Sequence, residues 1–345
     1  MKTSPHIFKT APHLVQKVWG GGRLAKQFGK APEFDGPLGE AWEVADLDEG
    51  QSLVASGPLA GLPLRALVGG WGRSLVGRRA PTDDRFPLLV KLLDARRDLS
   101  VQVHPSPTDA EAIEGADSKE ETWLVLDADE GAEILHGLVD NVSAEDFRQA
   151  VDDGDVEELL HRQPVNAGDV IHIRPGTIHA ICEGVVLLEI QEPSDTTYRV
   201  YDYGRPGLDG TPRQLHIDEA LRVARLAPSV QVLSPTAEND GVELLGETRA
   251  YRVERVDFEA PGGVRWSVDP DSPQVLSLVS GRLNIDDGIG GTLELKAGQT
   301  AVVPAISGSV RMEVCEASQL VVSGLAVDSL LRGLYRGPKV AVGAR

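Results

Sequence analysis

Short strand-like segments separated by turn residues follow one another along most of this 345-residue chain. Up to about residue 230 the clearest are EAWEVAD, PLLVKLLDA, LSVQVH, TWLVLDA, AEILHGL, DVIHIRPG, VVLLEIQEP and TYRVYDY. Strand-like segments then resume in ELLGETRAYRVERVDFE, PQVLSLVSGRLNID, GTLELKAGQTAVVP and LVVSGLAV. Strands that recur this often, with turn signals between them, predict barrels or sandwiches.

Three stretches interrupt this pattern with the features of short helices. They are PLRALVGGWGRSLVG, SAEDFRQAVDDGDVEELLHR and IDEALRVARL. In the second stretch Glu145 and Asp146 follow Ser143 closely. This order predicts a helix that is capped by the serine and has acidic residues in its first turn.

The strand-rich stretches fall into two units, as the length of the chain also suggests. We predict a first unit over residues 1–230, which includes the helical insertions, and a second unit over residues 231–345. VNAGDVIHIRPGTIHAI in the first unit resembles LKAGQTAVVPAISGSV in the second, and only the first segment contains histidines. This similarity between the two segments predicts two similar barrels, of which one carries a site.

Charge and hydropathy narrow the range of partners. The formal net charge of −19 disfavours nucleic acid and anionic membranes, although a local cluster of Lys and Arg can still bind a small anion. No apolar run reaches the roughly 20 residues that span a bilayer, and MKTSPHIFKT lacks the apolar centre of a signal peptide. Cys182 and Cys315 form no disulfide framework, so we expect a cytoplasmic location. These features do not indicate an oligomeric state.

The segment LSVQVHP places polar side chains on one face of a strand. Successive side chains of a strand alternate between faces, so Ser100, Gln102 and His104 share one face and Val101 and Val103 share the other. Such a polar face either meets solvent or lines a site. In the second case we expect the valines to pack outward against a neighbouring sheet or helix.

A candidate metal site includes the last residue of that polar face. His104, Glu121 and His179 offer the nitrogen and oxygen ligands that divalent metals prefer, and Gln102 adds an amide oxygen. His172 lies on a strand nearby and is expected to be structural or to support a ligand. The other histidines are expected to be structural or exposed, namely His6, His13, His136, His161 and His216.

A second candidate cluster lies in QEPSDTTYRVYDYGRPG. Alternation predicts that Arg199, Tyr201 and Tyr203 share one face, which is either an exposed edge or the wall of the metal cavity. Inside the cavity, Arg199 would stabilise an enediolate charge developing on a metal-bound sugar. Arg205 would bind a phosphate together with Lys91 and Ser100, because guanidinium, ammonium and hydroxyl groups are good phosphate partners.

At these residues the chain resembles the class I mannose-6-phosphate isomerases, in their short bacterial form. The matching segments are VWGGGRLAKQFG, GEAWEVAD, FPLLVKLLDARRDLSVQVHPSP, SKEETWLVLDA, IRPGTIHAI and EIQEPSDTTYRVYDYGR, in the order of the family. The resemblance implies a mainly β fold of tandem cupin (jelly-roll) barrels with short helical insertions. It also implies one Zn²⁺ per chain, with the second barrel lacking a metal site.

The resemblance assigns roles to individual residues. It implies Gln102, His104, Glu121 and His179 as zinc ligands and Lys119 and Arg199 as catalytic residues. It places the phosphate contacts on Lys91, Ser100 and Arg205. The implied reaction is the reversible conversion of mannose 6-phosphate to fructose 6-phosphate through a cis-enediol(ate).

Four questions stay open at the level of sequence. The general base is Lys119, His172 or a metal-bound water, and Glu121 is a poorer choice because a metal suppresses its basicity. The substrate is mannose 6-phosphate or a related phosphosugar. A non-catalytic cupin that binds a sugar phosphate is an alternative to an enzyme. An iron-dependent oxygenase with two histidines and a carboxylate is another.

Overall fold

The computed structural model describes residues 4–30, 36–226, 232–259 and 261–337. Up to residue 226 the strands are β1 (Phe8–Ala11), β2 (His13–Gly21), β3 (Leu38–Val44), β4 (Leu53–Val54), β5 (Leu89–Ala95), β6 (Val101–Val103), β7 (Glu121–Ala128), β8 (Glu133–Leu138), β9 (Leu160–Pro164), β10 (Val170–Ile173), β11 (His179–Ile181), β12 (Val185–Gln191) and β13 (Tyr198–Tyr201). From residue 232 they are β14 (Val232–Leu233), β15 (Thr236–Ala237), β16 (Val242–Glu247), β17 (Tyr251–Phe258), β18 (Gly262–Ser267), β19 (Gln274–Ser280), β20 (Arg282–Asp286), β21 (Thr292–Lys296), β22 (Thr300–Val303), β23 (Ser309–Val314), β24 (Ser318–Leu325) and β25 (Arg332–Gly337).

Helices are short and lie mainly before residue 226. They are α1 (Arg23–Phe28), α2 (Leu64–Trp71), α3 (Arg73–Val76), α4 (Pro107–Ala112), α5 (Ala144–Asp153) and α6 (Ile217–Val223), with single 3-10 turns at Val156–Leu159, Asn239–Gly241 and Ala305–Ser307. All three predicted helical stretches are confirmed by α2 and α3, α5 and α6. The predicted cap is confirmed too, since the Ser143 hydroxyl accepts the backbone N–H of Asp146 at 3.1 Å. No helix in the described ranges is long and apolar enough to cross a membrane.

The first barrel consists of two facing sheets. One has the order β14-β10-β7-β12-β5-β2-β3 and the other the order β13-β6-β11-β8-β9. Their inner faces meet in an apolar cluster that includes Trp19, Leu93, Trp123, Ile134 and Leu187. The site described below opens beside this cluster, where polar side chains replace apolar ones on the same inner faces.

The second barrel repeats the arrangement. Its sheets have the orders β15-β16-β17-β24-β19-β22-β1-β4 and β21-β20-β23-β18-β25. Residues such as Trp266, Leu276, Leu283 and Val322 fill the space between them. The predicted fold class, mainly β with tandem barrels and short helical insertions, is confirmed.

The large sheets of the two barrels pack against each other through their outer faces. Val90 and Leu92 of β5 lie in this shared core together with Val253 and Val275 of the second barrel. Because side chains alternate along β5, Lys91 and Leu93 point the other way, into the first barrel. The strand thus contributes an apolar face to the shared core and a charge to the barrel interior.

Strands are exchanged between the barrels near the predicted boundary and near the N-terminus. Phe8 of β1 pairs with Val302 of β22, so the N-terminal strand belongs to the second barrel's sheet. Strand β14, which lies in the predicted second unit, pairs with β10 of the first barrel. The division at residue 230 remains a prediction, and the two units are joined by these pairings as well as by the shared core.

Helices α5 and α6 cover the outer face of the smaller sheet of the first barrel. Val101 and Val103 pack there with Phe147 of α5 and with Ala220 and Val223 of α6. The expected outward packing of the two valines is therefore confirmed. Ser100 and Gln102 face the opposite way, into the barrel.

Candidate metal centre and substrate cavity

Three buried side chains converge between the two sheets of the first barrel. His104 follows β6, His179 begins the neighbouring strand β11, and Glu121 begins β7 in the facing sheet. His104 Nε2 lies 3.3 Å from Glu121 Oε1, and His179 Nε2 lies 3.8 Å from Glu121 Oε2. The candidate ligand atoms all lie within 4.8 Å of one another, which brings together three of the predicted ligands.

Both histidines are held in the form that can bind a metal. Nδ1 of His104 donates to the carbonyl of Thr196 at 3.0 Å, and Nδ1 of His179 donates to the carbonyl of Thr177 at 2.9 Å. Burial, helped by Lys119, lowers the pKa of His104, and burial together with His104 lowers the pKa of His179 to about 3. Each ring is therefore neutral with its lone pair on Nε2, as a divalent cation requires.

Glu121 completes the three-residue set as a carboxylate. Burial alone would raise its pKa, but the Lys119 ammonium and His104 hold the pKa well below its usual range. Lys119 Nζ lies 2.7 Å from Glu121 Oε1 and is itself buried. Lys119 therefore lies directly beside the candidate metal ligands.

Gln102 lies at the edge of the same cluster. Its Nε2 is 3.4 Å from His179 Nε2, and its Oε1 accepts a hydrogen bond from the Ser100 hydroxyl at 3.3 Å. Rotation of the amide by half a turn exchanges the two ends and directs the oxygen toward the cluster. The Ser100 hydroxyl can then accept from the amide nitrogen, so the four residues fit a divalent metal with two imidazoles, one carboxylate and one amide oxygen.

A cavity of about 160 Å³ opens above this cluster. Its lining includes Ser100, Gln102 and five cationic side chains, namely Lys17, Lys91, Lys119, Arg199 and Arg213. Three carboxylates also line it, those of Glu40, Glu189 and Asp195. The lining side chains alone carry a formal excess of two positive charges, before the Glu121 carboxylate beneath Lys119 is counted, in a chain whose formal net charge is −19. The cavity is therefore suited to an anion.

Lys91 is a fixed cation in the wall of this cavity. Its Nζ lies 3.4 Å from Glu189 Oε2, 3.6 Å from Asp195 Oδ1 and 5.2 Å from the centre of the Trp42 ring. Burial would lower the pKa of Lys91, but these carboxylates and Glu40 raise it above the ordinary range. The lysine is therefore an ammonium group at every physiological pH.

Glu189 was not predicted as a site residue. It lies in the middle of β12, is buried, and accepts a hydrogen bond from Trp123 Nε1 at 2.9 Å. Burial and the nearby Glu121 raise its pKa to about 7, against the opposing effect of Lys91. A lone acidic residue within the apolar run VVLLEIQ is the sequence signal that identifies it.

Arg199 faces the cavity, but the predicted sharing of a face with Tyr201 is wrong. The pairing register of β13 with β6 shifts between Arg199 and Tyr201, so Tyr201 pairs with Val101 and packs toward the helices. Tyr203 lies beyond the strand, and the centre of its ring is 5.0 Å from the centre of the Tyr201 ring. A β-bulge breaks the period of two on which the prediction depended.

The guanidinium of Arg199 is held by the backbone. Its Nη1 donates to the carbonyl of Gln214 at 2.9 Å, while its buried Nε makes no hydrogen bond. Burial and the neighbouring Arg213 lower the pKa of Arg199. His216, expected to be structural or exposed, also lines the cavity, and its Nδ1 accepts the backbone N–H of Arg199 at 3.2 Å.

Arg205 and His172 are not among the residues that line the cavity. The guanidinium of Arg205 donates to Asp202 at 2.8 and 3.1 Å. His172 contacts Glu120 at 2.9 Å and Thr122 at 3.4 Å on the outer face of the large sheet. As a candidate base it is therefore separated from Glu121 by the sheet, since Thr122 and Glu121 point to opposite faces.

Known proteins share this fold and sequence pattern. Residues 7–140 match the family described as phosphomannose isomerase type I, catalytic domain. The chain is 41% identical over 233 residues to the mannose-6-phosphate isomerase of Streptococcus mutans, a match that covers 67% of this chain and 71% of that relative.

Solved structures agree with the sequence match. The crystal structure of the mannose 6-phosphate isomerase from Bacillus subtilis superposes with a TM-score of 0.82 at 30% identity, over 92% of this chain and 99% of that one. A zinc-bound mannose 6-phosphate isomerase superposes with a TM-score of 0.72 at 17% identity, over 94% of this chain and 100% of that one. At that identity the second comparison shows a shared fold.

Proposed function

The chain belongs to the type I phosphomannose isomerase family, and we propose that it interconverts mannose 6-phosphate and fructose 6-phosphate. The observation that carries this proposal is the buried set of His104, Glu121 and His179 beneath a cavity with an excess of positive charge. A metal site supports chemistry at sugar oxygens, and the cationic lining supports recognition of a phosphate.

We propose that the metal is Zn²⁺, with one ion per chain. Its ligands would be Gln102, His104, Glu121 and His179. The bound ion would act as a Lewis acid that polarises the oxygens of the first two sugar carbons. The chain supports this role by supplying two neutral imidazoles that are fixed by backbone carbonyls, and one carboxylate kept ionised by Lys119. These contacts determine the orientation of the two histidines and of Glu121 before any ion binds.

The proposed reaction moves one proton between adjacent carbons. A base removes the proton from C2 of the open-chain sugar, and the electron pair forms the C1–C2 double bond of a cis-enediol(ate). The proton then returns to C1, and the hydroxyl proton of O2 passes to O1, so that O2 becomes a carbonyl oxygen and O1 a hydroxyl. We assign the proton transfer to Lys119, which acts as the base in its neutral amine form, once a bound metal would have replaced its ion pair with Glu121. Arg199 stabilises the negative charge on the enediolate oxygens. Because Lys119 is buried, the transferred proton is shielded from solvent.

The phosphate is assigned to the part of the cavity wall that carries Ser100 and Lys91. Ser100 and Lys91 line this cavity and supply a hydroxyl and an ammonium group. Arg213, which follows Arg199 in the chain and lines the cavity, supplies a guanidinium and completes the set. Anchoring the phosphate fixes the distance from the sixth carbon to the reacting carbons, which favours a six-carbon phosphosugar.

The test is a coupled assay of the purified protein with mannose 6-phosphate, detecting fructose 6-phosphate. It is run on the protein as isolated, after chelation and after addition of zinc, with metal content measured in parallel. We expect turnover that stops with chelation and returns with zinc. The proposal fails if zinc-loaded protein gives no fructose 6-phosphate, or if the chelated, metal-free protein turns over at the full rate. Oxygen consumption with added iron would instead identify an oxygenase.

A further inference from the structure

Strand β13 is the edge strand of the smaller sheet, where β6 is its one partner among the described strands. Residues 214–216 run along its other side at Arg199. The backbone N–H of His216 donates to the carbonyl of Arg199 at 2.7 Å, and the backbone N–H of Arg199 donates to Nδ1 of His216 at 3.2 Å. His216 therefore satisfies both backbone polar groups of Arg199, which a sheet edge would otherwise leave open.

The side chain of Arg199 is held by the same short segment. Its Nη1 donates to the carbonyl of Gln214 at 2.9 Å. These contacts lie at the bulge, where the register of β13 with β6 shifts between Arg199 and Tyr201. A bulge changes the direction of one side chain, and here Arg199 lines the cavity while Tyr201 packs toward the helices. Residues 214–216 thus fix both the backbone and the guanidinium of Arg199 at this bulge.

Helix α6 anchors the end of this segment. His216 is the residue immediately before the helix, and its carbonyl accepts the backbone N–H of Ala220 at 2.8 Å. Ala220 and Val223 of the helix are buried against the outer face of the smaller sheet. The position of His216 is therefore determined by apolar packing of the helix that follows it.

The contact with Arg199 determines the form of the His216 imidazole. A ring nitrogen that accepts a hydrogen bond carries no proton, so the neutral ring has its proton on Nε2. Burial and then the Arg199 guanidinium lower the pKa of His216, against the opposing effect of Glu219, and this favours the neutral ring. His216 lines the cavity, and its Nε2 has no hydrogen-bond partner among the described residues. The ring can therefore affect the reaction through Nδ1 on Arg199 or through Nε2 on a bound sugar, and the chain itself forms the first of these contacts.

We propose that His216 is a positioning residue for Arg199, whose backbone it holds at the bulge through Nδ1, so that the guanidinium stays directed at the enediolate oxygens. The inference rests on the proposed function, in which Arg199 stabilises the charge on those oxygens. A guanidinium stabilises a developing charge well only when it is already aimed at the place where that charge appears. His216 therefore acts through Arg199 and does not itself contact the substrate.

The test compares His216→Leu, His216→Asn and His216→Gln in zinc-loaded protein. The amide oxygen of Asn lies close to the position of Nδ1 and can accept the backbone N–H of Arg199, whereas Gln reaches toward the position of Nε2. Leu offers no acceptor at either position. His161→Leu is the matched control, because His161 lies on β9 at the opposite edge of the same sheet and its side chain makes no hydrogen bond with the described residues.

The kinetic readout separates positioning from binding. We expect His216→Leu to lower kcat roughly tenfold and to leave KM for mannose 6-phosphate within about threefold of wild type, because a misdirected guanidinium weakens the transition state more than the bound substrate. His216→Asn should retain most of the turnover, His216→Gln should resemble His216→Leu, and His161→Leu should match wild type. Unchanged zinc content in each variant shows that the metal centre is intact.

Hydrogen exchange of the Arg199 amide, followed by NMR, provides a readout that does not need turnover. Exchange should be roughly tenfold faster in His216→Leu than in wild type, as the loss of one hydrogen bond predicts, and should stay slow in His216→Asn. Equal exchange in wild type and His216→Leu overturns the proposal. Zinc-loaded wild type that gives no fructose 6-phosphate refutes the proposed function instead, and faster exchange in His216→Leu still supports the contact between His216 and Arg199.

Double variants show whether His216 acts through Arg199. In an Arg199→Ala background, His216→Leu should lower kcat no further, because the group that it positions has been removed. The proposal is overturned if His216→Leu lowers kcat by the same factor in both backgrounds, or if kcat is unchanged although exchange at Arg199 is faster. It is also overturned if Gln restores kcat while Asn, with the Arg199 amide still protected, does not, since the ring would then act through Nε2.

Discussion

Replacement of Glu189 by glutamine should change the pH dependence of stability in a defined direction. The carboxyl is buried between Trp123 and Lys91, and its folded-state pKa is about 7 against an ordinary value of 4.5. Between these two values the folded protein binds more protons than the unfolded chain. Stability from this group is therefore present below about pH 4.5 and is lost as pH rises through about 7.

The size of the effect follows from the same two values. At about 1.36 kcal/mol per pH unit, the interval from 4.5 to about 7 corresponds to roughly 3 kcal/mol of unfolding free energy. Glutamine does not titrate, and its amide oxygen can still accept the hydrogen bond from Trp123. The free energy of unfolding of Glu189→Gln, minus that of wild type, should therefore rise by roughly 3 kcal/mol from pH 4 to pH 8.

Urea denaturation of chelated protein at several pH values between 4 and 8 measures this difference. Metal-free protein is used because a cation at Glu121 would favour the ionised form of Glu189 and reduce the effect. Groups distant from Glu189 titrate alike in both proteins and cancel in the difference. Glu130→Gln, at an exposed position, serves as the control. A difference that stays constant with pH, or that grows as pH falls, would refute the reasoning.

Three further predictions concern the candidate histidine ligands, Arg199, and the contact between Thr122 and Tyr251 that joins the two barrels. His104→Ala and His179→Ala should each lose zinc and turnover together, and retention of stoichiometric zinc on elemental analysis would remove that histidine from the ligand set. Arg199→Ala should keep its zinc while kcat falls roughly 100-fold, as the loss of one charge-stabilising donor predicts, and an unchanged kcat would exclude the role. Tyr251→Phe removes the hydroxyl that lies 3.1 Å from Thr122 Oγ1, so the unfolding free energy should fall by about 1 kcal/mol. Zinc content and KM of that variant should not change, because Thr122 points away from the cavity, and a drop in zinc content would contradict this.

The sequence predicted the strands well because their signal is local. An alternating or continuous apolar run bounded by turn residues is visible without knowledge of its partners. Helix α5 was predicted from its cap, whereas α4 was not predicted, although Ser106, Pro107 and Asp109 form the same kind of start signal. Helix α1 was also missed, because the three glycines before it favour a turn rather than a helix.

The site was less predictable wherever it depended on distant parts of the chain. The ligand residues carry a recognisable order of residue types, and the structure brings His104, Glu121 and His179 together. The bulge after Arg199 leaves no clear mark in the sequence, because it is determined by pairing with β6. Arg213 could not be placed either, since its position depends on how the segment from Asp202 to His216 closes.

The second barrel contributes to the site without lining the cavity. Along β7, Trp123 points into the first barrel, whereas Thr122 and Leu124 point toward the second, where Thr122 meets Tyr251. The strands that carry Lys91, Glu121 and Glu189 are thereby covered by apolar packing on their outer faces. Water is therefore excluded from the outer face of these strands. Burial is accordingly the first cause of the raised pKa of Glu189 and of the lowered pKa of His104 and His179. A second barrel without a His-Glu-His set of its own among the described residues thus helps to maintain the low-dielectric setting of the candidate metal ligands in the first.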